Sequence, residues 1–247
     1  HEAGTVRDMT ERAGRSRTEE DATPAIAADP VSSLNPVIPE ATVARLPVYF
    51  RAVVAERQAG TITISSDRLA ELAGVNAAKV RKDLSFLGTY GIRGVGYDVD
   101  RLMAEMGHQL GMYQNWPCVI VGAGNLGAAL ANYLSGDERG FSVVAIVDAD
   151  PTKWGSHIGS VEVHADDDLP RLVPSYDIAI GIITTPPAVA QSVADRLVSA
   201  GVGSILNFAP VVLTVPDGVL LRNVDLALEL QVLSFYQGRT REDPESA

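Results

Sequence analysis

The run Val119-Ile-Val-Gly122-Ala123-Gly124-Asn125-Leu126-Gly127, continuing into Ala-Ala-Leu-Ala-Asn-Tyr133, constrains the fold more than any other stretch of this chain. A short apolar, β-branched segment leads into three glycines at G-x-G-x-x-G spacing, and a helical pattern comes next. That order reads as strand, tight turn, helix. In such a unit the first glycine permits the turn, the second lets backbone approach a pyrophosphate, and the third allows close packing of helix on strand. The phosphates would meet free N–H groups at the helix start. Alone, the triplet is also compatible with an ordinary glycine-rich turn. The next segment argues for a dinucleotide: residues 141–147 form a second apolar run ending at Asp148, 21 residues beyond Gly127, where a ribose-binding acid belongs. A carboxylate there accepts hydrogen bonds from a free 2′-hydroxyl and repels a 2′-phosphate, which favours NAD(H) over NADP(H).

Downstream the patterns alternate: strand at 161–163, helix at 169–173, strand at 177–183, helix at 188–200, strand at 204–208. Alternation of this kind predicts an α/β, doubly wound parallel sheet of the Rossmann type over residues 117–222. The loops at the carboxyl ends of its strands, Thr184-Thr185-Pro186-Pro187 and Asn207-Phe208-Ala209-Pro210, are expected to border the cofactor cleft. Ordinary strand-end turn chemistry is the alternative for each of these loop residues.

A net charge of −11 argues at first against nucleic acid as a partner. Its distribution changes that. Residues 40–100 hold eight Lys/Arg against seven Asp/Glu, while 101–247 hold eight against seventeen. Within the near-neutral part, Lys79, Arg81 and Lys82 cluster in a helix that Asn76 caps and Gly88 closes. Ahead of it, Ser65-Ser66-Asp67 caps a shorter helix, with Leu69 and Leu72 inward, that Gly74 stops. Two helices joined by a short glycine-containing turn are the helix-turn-helix pattern. Val80, Leu84 and Leu87 mark the buried stripe of the second, so its basic side can meet a major groove. Tyr90-Gly91-Ile92-Arg93-Gly94-Val95-Gly96-Tyr97 then reads as a β-hairpin with an arginine at its tip, which makes the unit a winged helix over 38–98. A solvated charged face and an ordinary turn arginine are the bland alternative.

Before this unit, a helix from Pro39-Glu40 to near Gly60 repeats Val43, Leu46, Pro47, Phe50, Val53 and Val54, with Pro47 able to kink it. Residues 1–37 show no apolar periodicity and are expected as a disordered arm. Residues 99–116 read as a linking helix. Residues 223–237, with Leu226, Leu228, Leu230, Val232 and Phe235, are an amphipathic helix too apolar to stand in water; residues 238–247 read as a polar tail. No run approaches the 18 apolar residues of a membrane span, and the N-terminal residues lack the basic-then-apolar order of a secretory signal. The one cysteine, Cys118, suits a reducing cytoplasm and reads as an inert, packed thiol. No metal site is expected.

With these pieces placed, the chain resembles the Rex family of bacterial redox-sensing transcriptional repressors from about Ile38 to Tyr236. The motifs carrying the resemblance are Lys79-Val-Arg-Lys-Asp-Leu-Ser85, Gly91-Ile-Arg-Gly-Val-Gly-Tyr97 and Gly122-Ala-Gly-Asn-Leu-Gly127. The resemblance implies a winged helix on double-stranded operator DNA, a Rossmann domain that binds NADH or NAD⁺, and a homodimer whose terminal helix is swapped between subunits. It also implies that NADH releases the protein from DNA. Carried over by residue, Lys79, Arg81, Lys82, Ser85 and Arg93 become DNA contacts, and Leu226 an apolar residue near the partner's nicotinamide. Arg51, Tyr133 and Asp225 become a polar network that differs between states. The arm before Ile38 has no counterpart in this resemblance.

The chain is thus expected to be a cytoplasmic repressor rather than an enzyme. A small NAD-dependent dehydrogenase is the alternative; against it, the region after Asp148 holds one lysine and two histidines, none in a proton-relay pattern, and no substrate domain follows. A third reading is an NAD-binding protein whose winged helix binds protein.

Overall fold

The structure, a computed structural model, describes residues 38–88, 91–134 and 140–242. The arm at 1–37, Tyr90 of the expected hairpin and residues 243–247 of the expected tail lie outside the described residues.

The first domain is built by short elements with well-made ends. In order these are α1 (Glu40–Gln58), β1 (Thr63–Ile64), α2 (Ser66–Ala73), α3 (Ala77–Ser85), β2 (Tyr97–Asp98) and α4 (Val99–Gln109). Side-chain oxygens start three of the helices: Ser65 Oγ accepts from the Arg68 amide at 3.1 Å, Asn76 Oδ1 from Lys79 at 2.8 Å and Asp98 Oδ1 from Arg101 at 2.8 Å. Gly74 ends α2 at φ 66°, a left-handed conformation that glycine adopts without a Cβ penalty. Leu46, Tyr49, Val53, Ile64, Leu69, Val80, Leu84, Leu87, Leu102 and Met106 form the core.

Three expectations are corrected by this domain. The buried stripe of α1 is Thr42, Leu46, Tyr49 and Val53, with Val43 exposed and the helix unbroken at Pro47. The helix is rotated by one position because Thr42 and Tyr49 are drawn inward to the buried carboxylate of Asp83. Leu72 of α2 is 40% exposed and Ala70 packs in its place. The helix expected as a linker, α4, is a wall of this core: it follows β2 without a spacer, packs on α1 and sends Val99, Leu102 and Met106 into the same cluster.

The second domain contains β3 (Trp116–Val121), α5 (Asn125–Leu134), β4 (Phe141–Asp148), β5 (His157–Ile158), β6 (Val161–Ala165), α6 (Leu169–Tyr176), β7 (Ile180–Ile183), α7 (Pro187–Ser199), β8 (Ser204–Asn207) and β9 (Leu220–Asn223). The strand order is β5-β6-β4-β3-β7-β8-β9, parallel throughout except for β5. Both faces are covered, as a parallel sheet requires. Val119 and Val121 point to the layer of α6 and α7, and Cys118 and Ile120 to that of α5. Burial pushes the Cys118 thiol up to about 11, so it stays protonated and inert. The edge strands β5 and β9 were not expected; each is short, and β9 is Leu-Leu-Arg-Asn without alternation. The chain runs outward from β3 through β4 to β6 and then crosses back through α6 to β7 on the other side of β3, so the order reverses at β3 and a crevice opens at its carboxyl end.

The last helix, α8 (Leu226–Glu242), extends beyond the expected end into the residues read as a tail. Past Tyr236, Gln237, Arg239, Arg241 and Glu242 favour continued helix and carry it over Gly238. Leu226 (64%), Leu228, Leu230, Val232, Leu233, Phe235 and Tyr236 (60%) are all exposed. Among the described residues no helix is long and apolar enough to cross a membrane.

Candidate functional site

The crevice at the end of β3 is assembled by the glycine turn. Gly122 sits at φ 109°, a conformation closed to ordinary side chains, and a Cβ on Gly127 would overlap the Gly122 carbonyl oxygen. Gly124 faces open space, and a Cβ there would meet nothing within 4 Å. Gly122 and Gly127 thus meet the two backbone demands of the spacing, the tight turn and the close helix–strand packing. Thr184 locks the turn from β7, its hydroxyl donating to the Val121 and Gly122 carbonyls at 3.0 and 2.8 Å.

Asp148, at the end of β4, stands beside this turn. Its Oδ2 accepts from the Ala123 amide at 2.6 Å and from Lys153 Nζ at 2.9 Å, and its Oδ1 from the Asp150 amide at 2.8 Å. Partial burial pushes the carboxyl up, but the Asp150 amide, the Lys153 ammonium and the Ala123 amide outweigh it and hold it below the ordinary range. Oδ1 has a lone pair left to accept from a ribose hydroxyl. Trp154 braces the same corner through its indole N–H on the Asp148 carbonyl at 2.7 Å.

A cavity of about 730 Å³ opens from the turn, lined by Gly122, Gly124, Leu126, Asp148, Thr184, Thr185, Pro186 and Phe208 among others. That size suits a cofactor. Ala123 and Asn125 line an adjoining groove shared with Gly124 and Lys153. Thr185 Oγ1 is buried with no hydrogen-bond partner among the described residues. A buried hydroxyl left unpaired is costly, and a ligand's polar atom in the cavity would satisfy it.

Three expected contacts sit elsewhere. Gly127 lines neither the cavity nor the groove and is buried against the Gly122 carbonyl. Asn207 does not line the cavity: it is 0% exposed beneath the Phe208–Pro210 loop, its amide committed to the loop and to β9. Leu226 projects from α8 and is not part of the lining in its own chain. Conversely, Lys153, Asp166 and Arg196 line the cavity without having been expected. Arg196 pairs with the Asp166 carboxylate at 2.6 Å and also donates to its carbonyl. Lys153 carried a signal, an isolated lysine five residues past Asp148. Asp166 and Arg196, thirty residues apart, carried none.

In the first domain, α3 presents Lys79 and Lys82 to solvent. Arg81 turns toward α2, donating to Ser66 Oγ at 2.9 Å. The hairpin forms as a bridge between Ile92 and Gly96, with Arg93 exposed at its turn. Arg81 and Arg93 line a common cleft of about 430 Å³ between the hairpin and α2. Ser85, at the other end of α3, spends its hydroxyl on the Lys82 carbonyl at 2.7 Å.

Beneath α3 lies a group that pattern reading passed over. Asp83 is buried, yet its carboxylate accepts from Thr42 Oγ1 at 2.8 Å, Tyr49 Oη at 2.8 Å, and Arg45 Nε and Nη2 at 2.7 and 2.8 Å. Burial alone would raise its pKa; the four hydrogen bonds, Arg45 foremost, hold it below the ordinary value. Tyr49, buried against the same charge, is pushed up to about 12. The bidentate pair fixes α3 on α1.

Of the suggested network, Arg51 lies exposed on α1, Tyr133 on α5, and Asp225 caps α8 by accepting from Ala227 and Leu228 amides at 2.9 and 3.3 Å.

A dinucleotide-type crevice in a doubly wound sheet, joined to a winged helix with an exposed basic helix, defines a nucleotide-responsive DNA-binding protein. The redox-sensing transcriptional repressor Rex of Streptomyces griseus subsp. griseus is 55% identical over 210 residues, 85% of this chain and 83% of that relative. The chain belongs to the Rex family of redox-sensing transcriptional repressors. The Rex of Pelotomaculum thermopropionicum is 48% identical over 80% of this chain and 93% of its own. Two family models match, a putative DNA-binding protein N-terminus over residues 37–85 and a CoA binding domain over 113–211. Among solved structures, RSP, a Rex-family repressor, in complex with β-NAD⁺ and operator DNA has a TM-score of 0.78 at 37% identity, covering 85% of this chain and 99% of that one. RSP in complex with β-NADH has a TM-score of 0.76 at 36% identity with the same coverage. The relatives are transcriptional repressors, so the dehydrogenase alternative falls.

Proposed function

We propose that this chain is a cytoplasmic repressor that binds operator DNA as a homodimer, holds NADH or NAD⁺ in the crevice at β3, and leaves the operator when NADH is bound. The observation that carries the reading is the pairing, on one chain, of a crevice with an unsatisfied buried hydroxyl at Thr185 and an exposed basic helix α3. The RSP complexes with NADH, and with NAD⁺ and operator DNA, support it.

The residues fit a dinucleotide. Backbone amides at the start of α5, around Gly124, Asn125 and Leu126, meet the pyrophosphate, and Asp148 takes the ribose hydroxyls through Oδ1. Thr185 donates to a polar atom of the cofactor, and Leu126, Pro186 and Phe208 exclude water. When bound, the nicotinamide supplies a redox-dependent charge, cationic when oxidised and neutral when reduced. An apolar surround disfavours the cation by desolvation, and Leu226, delivered by the partner's α8, adds to that surround. Lys79 and Lys82 address the major groove, while Arg81 and Arg93 take phosphate or minor-groove contacts from the cleft between helix and hairpin. Arg51, Tyr133 and Asp225 exchange partners between the two states.

The two binding events are linked reciprocally. A dimer must span half-sites about one helical turn apart, so a modest rotation of the winged helices breaks register. A titration of operator binding with NADH at fixed NAD⁺ tests this. The proposal expects operator affinity to fall by roughly 5- to 150-fold, the usual range of such coupling; no change would overturn it.

A further inference from the structure

Asn207 connects two parts of the molecule that the sequence separates. Its Nδ2 lies 3.0 Å from the Ala209 carbonyl, 3.2 Å from the Val211 carbonyl and 3.0 Å from Asn223 Oδ1. Its Oδ1 accepts from the Ala209 amide at 2.9 Å, and its backbone carbonyl accepts from the Val224 amide at 2.8 Å. One side of this hub is the loop whose Phe208, Ala209 and Pro210 line the cofactor cavity. The other side is the last residue of β9, two residues before Asp225 caps α8. The amide offers two N–H groups to three acceptors, so the loop and the root of α8 compete for the same donors. A displacement of one alters what the other can keep.

We propose that Asn207 is the positioning residue that transmits cofactor occupancy from the Phe208–Pro210 loop, through Asn223, to the root of α8. The relay rests on the proposed docking of α8 on the partner subunit, because only a docked helix can carry the shift onward. Asn207 need not touch the cofactor. Its full burial and complete set of partners keep the relay stiff, since a buried amide cannot release one partner to water.

The test uses the full-length chain and an operator duplex selected by the wild-type protein from a random-sequence pool. Asn223→Ala removes one arm of the hub at an exposed position, so the fold is retained; Asn207→Asp keeps the shape but replaces the donors. NADH affinity and operator affinity with and without NADH are measured for each. The expected result is NADH affinity within about threefold of wild type, with the NADH-induced drop in operator affinity falling toward one in Asn223→Ala. A merely structural role would lower stability without uncoupling the two ligands. Undiminished coupling in a folded Asn223→Ala overturns the relay, whatever becomes of Asn207→Asp. If the wild-type protein itself shows no NADH effect, the functional reading fails and the relay with it.

Discussion

Asp148 is balanced between burial and three donors, and in the proposed NAD(H) site Lys153 is the donor that would bear on selectivity. The carboxylate repels a 2′-phosphate, but it also neutralises an ammonium that would attract one. Removing the carboxylate therefore acts twice: Asp148→Ala deletes the ribose acceptor and releases Lys153. NADH binding should weaken by about tenfold or more, given the roughly 1.5–3 kcal/mol of a hydrogen bond to a charged group, and the advantage over NADPH should narrow. Calorimetric titration with both nucleotides checks this, and unchanged constants would remove Asp148 from the site. Asp83 acts on stability instead. Its pKa is depressed below the ordinary 3.8, so the folded state binds its proton less readily than the unfolded chain. The stability it contributes is complete above the ordinary carboxylate range and is lost as pH falls through the depressed value. Asp83→Asn should flatten the acid limb of thermal stability measured between about pH 5 and pH 2, and should cost about 3 kcal/mol at neutral pH, the low end for breaking a buried pair, because Arg45 keeps some contact with water. An acid limb as steep as wild type would show that the stabilisation resides elsewhere.

At the scale of elements, the hairpin and α3 work as one surface only if the hairpin is held against β1. Gly96 holds it there: φ is 108°, and a Cβ would drive into the Ile64 carbonyl. Gly96→Ala should displace Arg93 and weaken operator binding while leaving NADH affinity intact, the same division expected of Lys79→Ala with Arg81→Ala. Gel shift and nucleotide titration on the same preparations decide it, and parallel loss of both affinities would sink the separation of roles. The helices and inner strands of this surface were readable because local signals coincide: a cap, an apolar stripe and a glycine stop bracket α2 and α3. The strands β5 and β9 were not readable. Each is short and exposed on the outer edge, so no apolar alternation records which neighbour it pairs with.

At the scale of the whole molecule, the proposed homodimer turns on α8. Seven large apolar side chains from Leu226 to Tyr236 lie in water in the single chain, an arrangement that burial against a second copy would relieve. Truncation before Val224 should leave the two cores folded and abolish the dimer; light scattering checks it, and a stable truncated dimer would refute the swapped helix. Much of this protein is determined by sequence alone, where function depends on backbone that only one residue type permits or on charge placed along one helix. Gly122 and Gly127, Asp148 at the strand end, and Lys79 with Lys82 on the open face of α3 all have local causes. Tertiary structure decided the rest: that Asp83 lies inward under four donors, that Arg81 turns onto Ser66 of α2, that Lys153 and Arg196 join the cavity, and that Asn207 lies behind its wall. Those assignments depend on residues between 5 and 41 positions apart in the chain, and no local pattern encodes a partner that only packing supplies.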